Sequence, residues 1–125
     1  MARRTPRITE AEMQLLQLLW QDSPLGASDV FERLPQSLQW SLTTVKTLLS
    51  RLVTKGAVTA EQQGRRNLYS PAVAQNEVAA RQAGGLVDRL FGGKVSPLVA
   101  QLAEQRELDP KDLEELEALV RRLRK

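Results

Sequence analysis

A chain of 125 residues, 26% charged and 42% hydrophobic, has room for one ordinary domain or a small domain with an appendage, and has the balance of a chain that folds. It contains no cysteine and no histidine, which excludes disulfide frameworks, thiolate metal sites and imidazole bases. The net charge of +3 is unevenly spread: Ser41 to Ser70 holds Lys46, Arg51, Lys55, Arg65 and Arg66 against Glu61 alone, while Pro71 to Lys125 balances nine cations with nine anions, so the positive field lies where it can attract a polyanion.

The opening MARRTPRITEAE is basic, with Arg3, Arg4 and Arg7, but has no apolar run behind it and does not read as a secretory signal. Such an arm can reach a minor groove. No apolar run approaches a bilayer span, so a cytoplasmic protein without membrane insertion is expected. Thr9 and Glu12 have the spacing of a capping box, and Ile8 and Met13 that of a hydrophobic staple. Met13, Leu16, Leu19 and Trp20 then supply the buried stripe of a first helix, which QDSPLGA ends. A short second helix is expected over residues 28–34, with Val30, Phe31 and Leu34 inward.

The third helix, in WSLTTVKTLLSRLVTKG, is capped by Ser41 and stopped at Lys55-Gly56. Val45, Leu48, Leu49 and Leu52 make its inner stripe. Thr43, Thr44, Lys46, Thr47, Ser50, Arg51 and Lys55 occupy the rest, and no acid interrupts them. Solvated helix faces usually mix acids with bases, because i, i+4 pairs stabilise them. Threonine is a mediocre helix former, so this face gives up some propensity. Threonine hydroxyls can bond base edges and their methyls can pack on thymine, while Lys46, Arg51, Arg65 and Arg66 can neutralise phosphates.

Residues 58–71 hold two β-prone pieces about a glycine-containing tip, QQGRR, and read as a hairpin. Helix, helix, helix, hairpin is the order of a winged helix-turn-helix, whose third helix enters the major groove. The same fold can instead bind a protein partner, and that alternative stays open.

Residues 75–91 read as a helix interrupted at Gly84-Gly85 and ended by Gly92-Gly93. Residues 95–103 form a short helix, and Asp109 with Pro110 open a last one. Leu113, Leu116, Val120 and Leu123 recur at 3, 4 and 3 residues, a coiled-coil-like seam. Three such helices struggle to bury a core alone, which favours a homodimer reading two half-sites. The expected architecture is mainly α, with a winged-helix domain over 1–72 and a helical dimerisation segment over 73–125.

ITEAEMQLLQLLW, WSLTTVKTLLSRLVTKGAV, GRRNLYSP, and LFGGKVSPLVAQLAE followed by LDPKDLEELEALV together resemble the BlaI/MecI/CopY, or penicillinase repressor, family of winged-helix repressors. The resemblance implies a homodimeric transcriptional repressor of a double-stranded DNA operator. The composition, with no cysteine or histidine and no paired carboxylates or glycine-rich phosphate cradle, leads to the expectation of no cofactor, no metal and no enzymatic activity. The resemblance places DNA contacts at Thr43, Thr44, Lys46 and Thr47, with Arg51 and wing Arg65 nearby; Ser41 at the helix start and Arg66 beside Arg65 complete the expected DNA-binding set from their positions in the sequence. Relatives often carry lysine at the position of Thr43. In the antibiotic branch, a membrane receptor with a metalloprotease domain triggers cleavage inside the dimerisation segment at an Asn-Phe bond. The matching pair here is Gln101-Leu102. The copper branch releases DNA through C-terminal cysteines, which this chain lacks. Release by a small ligand is a further alternative.

Overall fold

The computed structural model of the chain describes residues 6–124. Helix α1 (Glu10–Gln21) starts on a reciprocal cap, in which the Glu12 amide donates to the Thr9 hydroxyl at 3.1 Å and the Thr9 amide to the Glu12 carboxylate at 2.9 Å. Two amides that a helix start leaves unpaired are thereby satisfied. Ile8 is buried and Met13 packs on the same core, as a staple requires. Leu15 joins Leu16 and Leu19 in full burial. Trp20 lies at the core edge, where its indole N–H donates to the Val73 carbonyl at 2.9 Å.

Helix α2 (Ala27–Arg33) buries Val30, and Leu34 just beyond it. Phe31, expected inward, is 38% exposed. It falls one position off the i, i+4 row that Val30 and Leu34 share, and it lines a shallow groove with Leu38 and Trp40. A 3₁₀ turn (Gln36–Leu38), unforeseen in the sequence, leads through Gln39 in the left-handed region (φ 55°) to helix α3 (Leu42–Lys55).

The Ser41 hydroxyl accepts from the Thr44 amide at 3.1 Å and starts α3; Gly56, at φ 80°, ends it in the conformation glycine adopts most cheaply. Val45, Leu48, Leu49 and Leu52 are buried together against α1 and α2, each leucine contributing about 1.5–3 kcal/mol by leaving water.

Strands β1 (Val58–Gln63) and β2 (Arg66–Pro71) pair antiparallel from Val58 opposite Pro71 to Gln63 opposite Arg66. Gly64 and Arg65 form the turn, with Gly64 at φ 65°. Leu25 adds a one-residue third strand: it exchanges backbone hydrogen bonds with Tyr69 at 3.0 and 2.8 Å. The base of the hairpin is thus tied to the approach to α2.

The chain divides into two compact units, residues 1–82 and 83–125. Helix α4 (Gln75–Phe91) gives Val78 to the core of the first. It runs unbroken through Gly84-Gly85, where an interruption was expected. Each glycine costs about 1 kcal/mol relative to alanine, too little to end a helix of this length. Gly92 and Gly93 do form a joint, at φ 59° and 82°.

Helices α5 (Val95–Gln105) and α6 (Pro110–Leu123) complete the second unit, and the Asp109 carboxylate caps α6 by accepting from the Lys111 amide at 3.0 Å. Among the described apolar residues of this unit only Val87 is buried, while Leu90, Val95, Leu102, Val120 and Leu123 are large and exposed. Among the described residues, no helix is long and apolar enough to cross a membrane.

Candidate nucleic-acid interface

The inner stripe of α3 fixes what its outer face presents. Thr43, Lys46, Thr47, Ser50 and Thr54 repeat at helical spacing opposite the buried residues, and all are exposed. Ser50 and Thr54 extend the face by two further hydroxyls. Thr44 sits on its flank, half-buried, with its hydroxyl 3.1 Å from that of Ser41. Ser41 and Thr44 therefore serve the helix start. The Thr47 hydroxyl donates to the Thr43 carbonyl at 3.0 Å, so toward a ligand it offers lone pairs and a methyl group. Arg51 is exposed.

Lys55 behaves differently. Spacing puts it among the outer cations, but its ammonium turns back to the Arg7 carbonyl (2.7 Å) and the buried carboxylate of Glu12. It holds the end of α3 to the start of α1. Gln82 donates to the neighbouring Ile8 carbonyl at 3.0 Å, so the backbone entering α1 is fastened at two successive carbonyls. Arg7 itself is exposed; Arg3 and Arg4 lie outside the described residues.

Burial is the largest single influence on the Glu12 carboxyl and raises its pKa. The bonds from Lys55 and from the Thr9 amide together outweigh it and hold the pKa below the ordinary carboxylate value. A depressed folded-state pKa contributes stability that is complete above the unfolded value and is lost as pH falls through the folded one. Acid should therefore lower the melting temperature, with this group contributing part of the loss. Glu12→Gln should flatten that acid dependence. Melts from neutral to acid pH check this, and an unchanged pH profile in the variant would contradict it.

At the wing, Arg65 occupies the exposed turn. Arg66, read in the sequence as a second free cation of the tip, instead lies against α2, with its Nη2 2.8 Å from Asp29 Oδ2. The same oxygen accepts from the Gly26 amide at 3.1 Å. The Gly26 bond first, and then Arg66, hold the Asp29 carboxyl below its usual pKa. Lys46, Arg65, Arg66, Asn67 and Tyr69 line a groove of about 490 Å³ between α2, α3 and the wing. Asp29 is the site residue that sequence reading passed over. Its place three residues after Gly26 signals a helix-start acceptor, but nothing local signals Arg66. In the second unit, Gln101 and Leu102 lie exposed within α5, and Leu113, Val120 and Leu123 are exposed along α6 with Leu116 half-buried.

Three helices, a hairpin wing and a basic, hydroxyl-bearing third helix define a winged helix-turn-helix protein of the DNA-binding class. Residues 8–122 match the family model described as penicillinase repressor. A penicillinase repressor of Bacillus licheniformis is 25% identical over 114 residues, which span 91% of this chain and 89% of that protein. The methicillin resistance regulatory protein MecI of Staphylococcus aureus is 22% identical over 120 residues, 96% of this chain and 98% of that one. The solved structure of the monomeric form of Bacillus licheniformis BlaI in complex with the blaP half-operator superposes with a TM-score of 0.52 at 29% identity, covering 61% of this chain and 93% of that one. The chain belongs to the penicillinase repressor family, and is a DNA-binding transcriptional repressor and not an enzyme.

Proposed function

We propose that two copies of this chain bind one operator in double-stranded DNA, each reading a half-site with α3 and holding the backbone with its wing. The observation that carries this reading is the acid-free outer stripe of α3 beside a groove lined by Lys46, Arg65 and Arg66. In this reading residues 1–72 are the DNA-binding part and 73–125 the dimerisation segment, although the first compact unit runs on to Gln82 because Val78 of α4 packs in its core. A relative solved on a half-operator supports one chain per half-site, and the exposed apolar residues of α5 and α6 support the pairing.

Release by cleavage at Gln101-Leu102 belongs to the same proposal. Both residues are exposed, and a cut there would sever α6 from the winged helix and remove the gain of binding two half-sites at once. The test uses an operator selected from random-sequence duplexes. Binding should be tighter on two half-sites in two-fold arrangement than on one, by roughly 10²-fold or more. Equal binding to both would contradict the dimeric reader. No binding to any duplex would favour a module for a protein partner. Mass spectrometry of the protein from induced cells should find a chain ending at Gln101, whereas an intact chain that leaves the DNA would point to a small ligand.

A further inference from the structure

The groove between α2, α3 and the wing holds a carboxylate among its cations. Asp29 and Arg66 are 41% and 59% exposed at the side chain, so their pair faces the groove and not the core. Gly26 makes the space for it: a methyl group there would come within 2.5 Å of Arg66 Nη2. The Gly26 backbone, at φ −79° and ψ 166°, is open to any residue. The missing side chain therefore serves the guanidinium and not the turn. Among the described residues, Lys46 and Arg65 in the same groove form no ion pair.

We propose that Asp29 is a competitor for Arg66 built into the DNA-facing groove, a positioning residue that keeps this guanidinium on the protein until a phosphate displaces it. The inference rests on the DNA-binding reading above. A carboxylate and a phosphate offer a guanidinium similar forked acceptors. Exchanging one for the other leaves Asp29 to regain a cation from solution, which cancels part of the counterion release that drives backbone binding. Phosphate contacts carry no base information, so Asp29 lowers affinity for DNA of any sequence.

The experiment titrates random-sequence duplex across salt with wild type, Gly26→Ala and Asp29→Asn, each also in an Arg66→Ala background. Asp29→Asn keeps an amide oxygen for the Gly26 N–H, and Gly26→Ala leaves the net charge unchanged while crowding the guanidinium out. Both should tighten binding at low salt by roughly two- to five-fold, the size of one exposed ion pair. Both should also steepen the salt dependence toward one further unit of log slope, and both gains should vanish with Arg66→Ala. Tightening by Asp29→Asn alone would reveal a bulk charge effect and overturn the proposal. Weakening by Gly26→Ala in a chain that melts normally would make the pair a strut that the complex keeps, and would also overturn it. If Gly26→Ala does not fold, the Asp29→Asn and Arg66→Ala cycle reads the same coupling, and additivity there is the overturning result. A wild type that binds no duplex fails the DNA reading itself, and is recognised before any variant is compared.

Discussion

Replacing Leu116 and Val120 together with aspartate should convert a dimer into monomers. Both residues lie on α6 in the row with Leu113 and Leu123, and Val120 and Leu123 are 52% and 74% exposed in the single chain. An exposed apolar row on an amphipathic helix is what a surface that pairs with another presents, and the proposed dimer would cover this one. Aspartate at two of its positions places unpaired charge in that contact. The cost is about 3–5 kcal/mol, which raises the dissociation constant on the order of 10²-fold or more. Sedimentation should show a wild-type dimer at micromolar concentration and a monomeric variant that retains its winged-helix melt. A monomeric wild type would remove the dimer from this account, and a double variant that stays dimeric would place the interface elsewhere.

Thr47→Ala should lower affinity for the selected operator by about 1–3 kcal/mol with little change on random DNA. Because the Thr47 hydroxyl proton is engaged by the Thr43 carbonyl, its free chemistry is acceptor and methyl. It therefore suits the amino group of adenine or cytosine, or a thymine methyl. Thr47→Val removes the acceptor and keeps the methyl, and Thr47→Ser does the reverse, so the pair separates the two modes. Thr43→Ala should act similarly from the same exposed stripe. Thr44→Ala is a poorer probe than its position in the sequence suggests, because Thr44 meets Ser41 at the helix cap.

Elements whose determinants are local were legible in the sequence. The Thr9–Glu12 cap, the Ser41 and Gly56 limits of α3, the hairpin and the Asp109-Pro110 start of α6 each depend on residues a few positions apart. Features made by pairing across the chain were not. Leu25 meets Tyr69, Lys55 turns to Glu12, and Arg66 turns to Asp29. Charge counting treated Lys55 and Arg66 as free cations because periodicity assigns a side chain to a face but not to a partner. Gly84-Gly85 misled in the opposite direction, because a weak local preference yields to the helix on either side.

The most direct test of the central claim, that α3 reads while the wing holds, is one anisotropy titration series across salt on the selected operator and on random duplex. Wild type, Thr47→Ala and Arg65→Ala are compared. Arg65→Ala should weaken both duplexes about equally and flatten the salt dependence by about one unit of log slope, as the loss of one phosphate contact requires. Thr47→Ala should weaken the operator alone and leave the slope unchanged. Equal losses on both duplexes for Thr47→Ala, or a salt slope untouched by Arg65→Ala, would contradict the account.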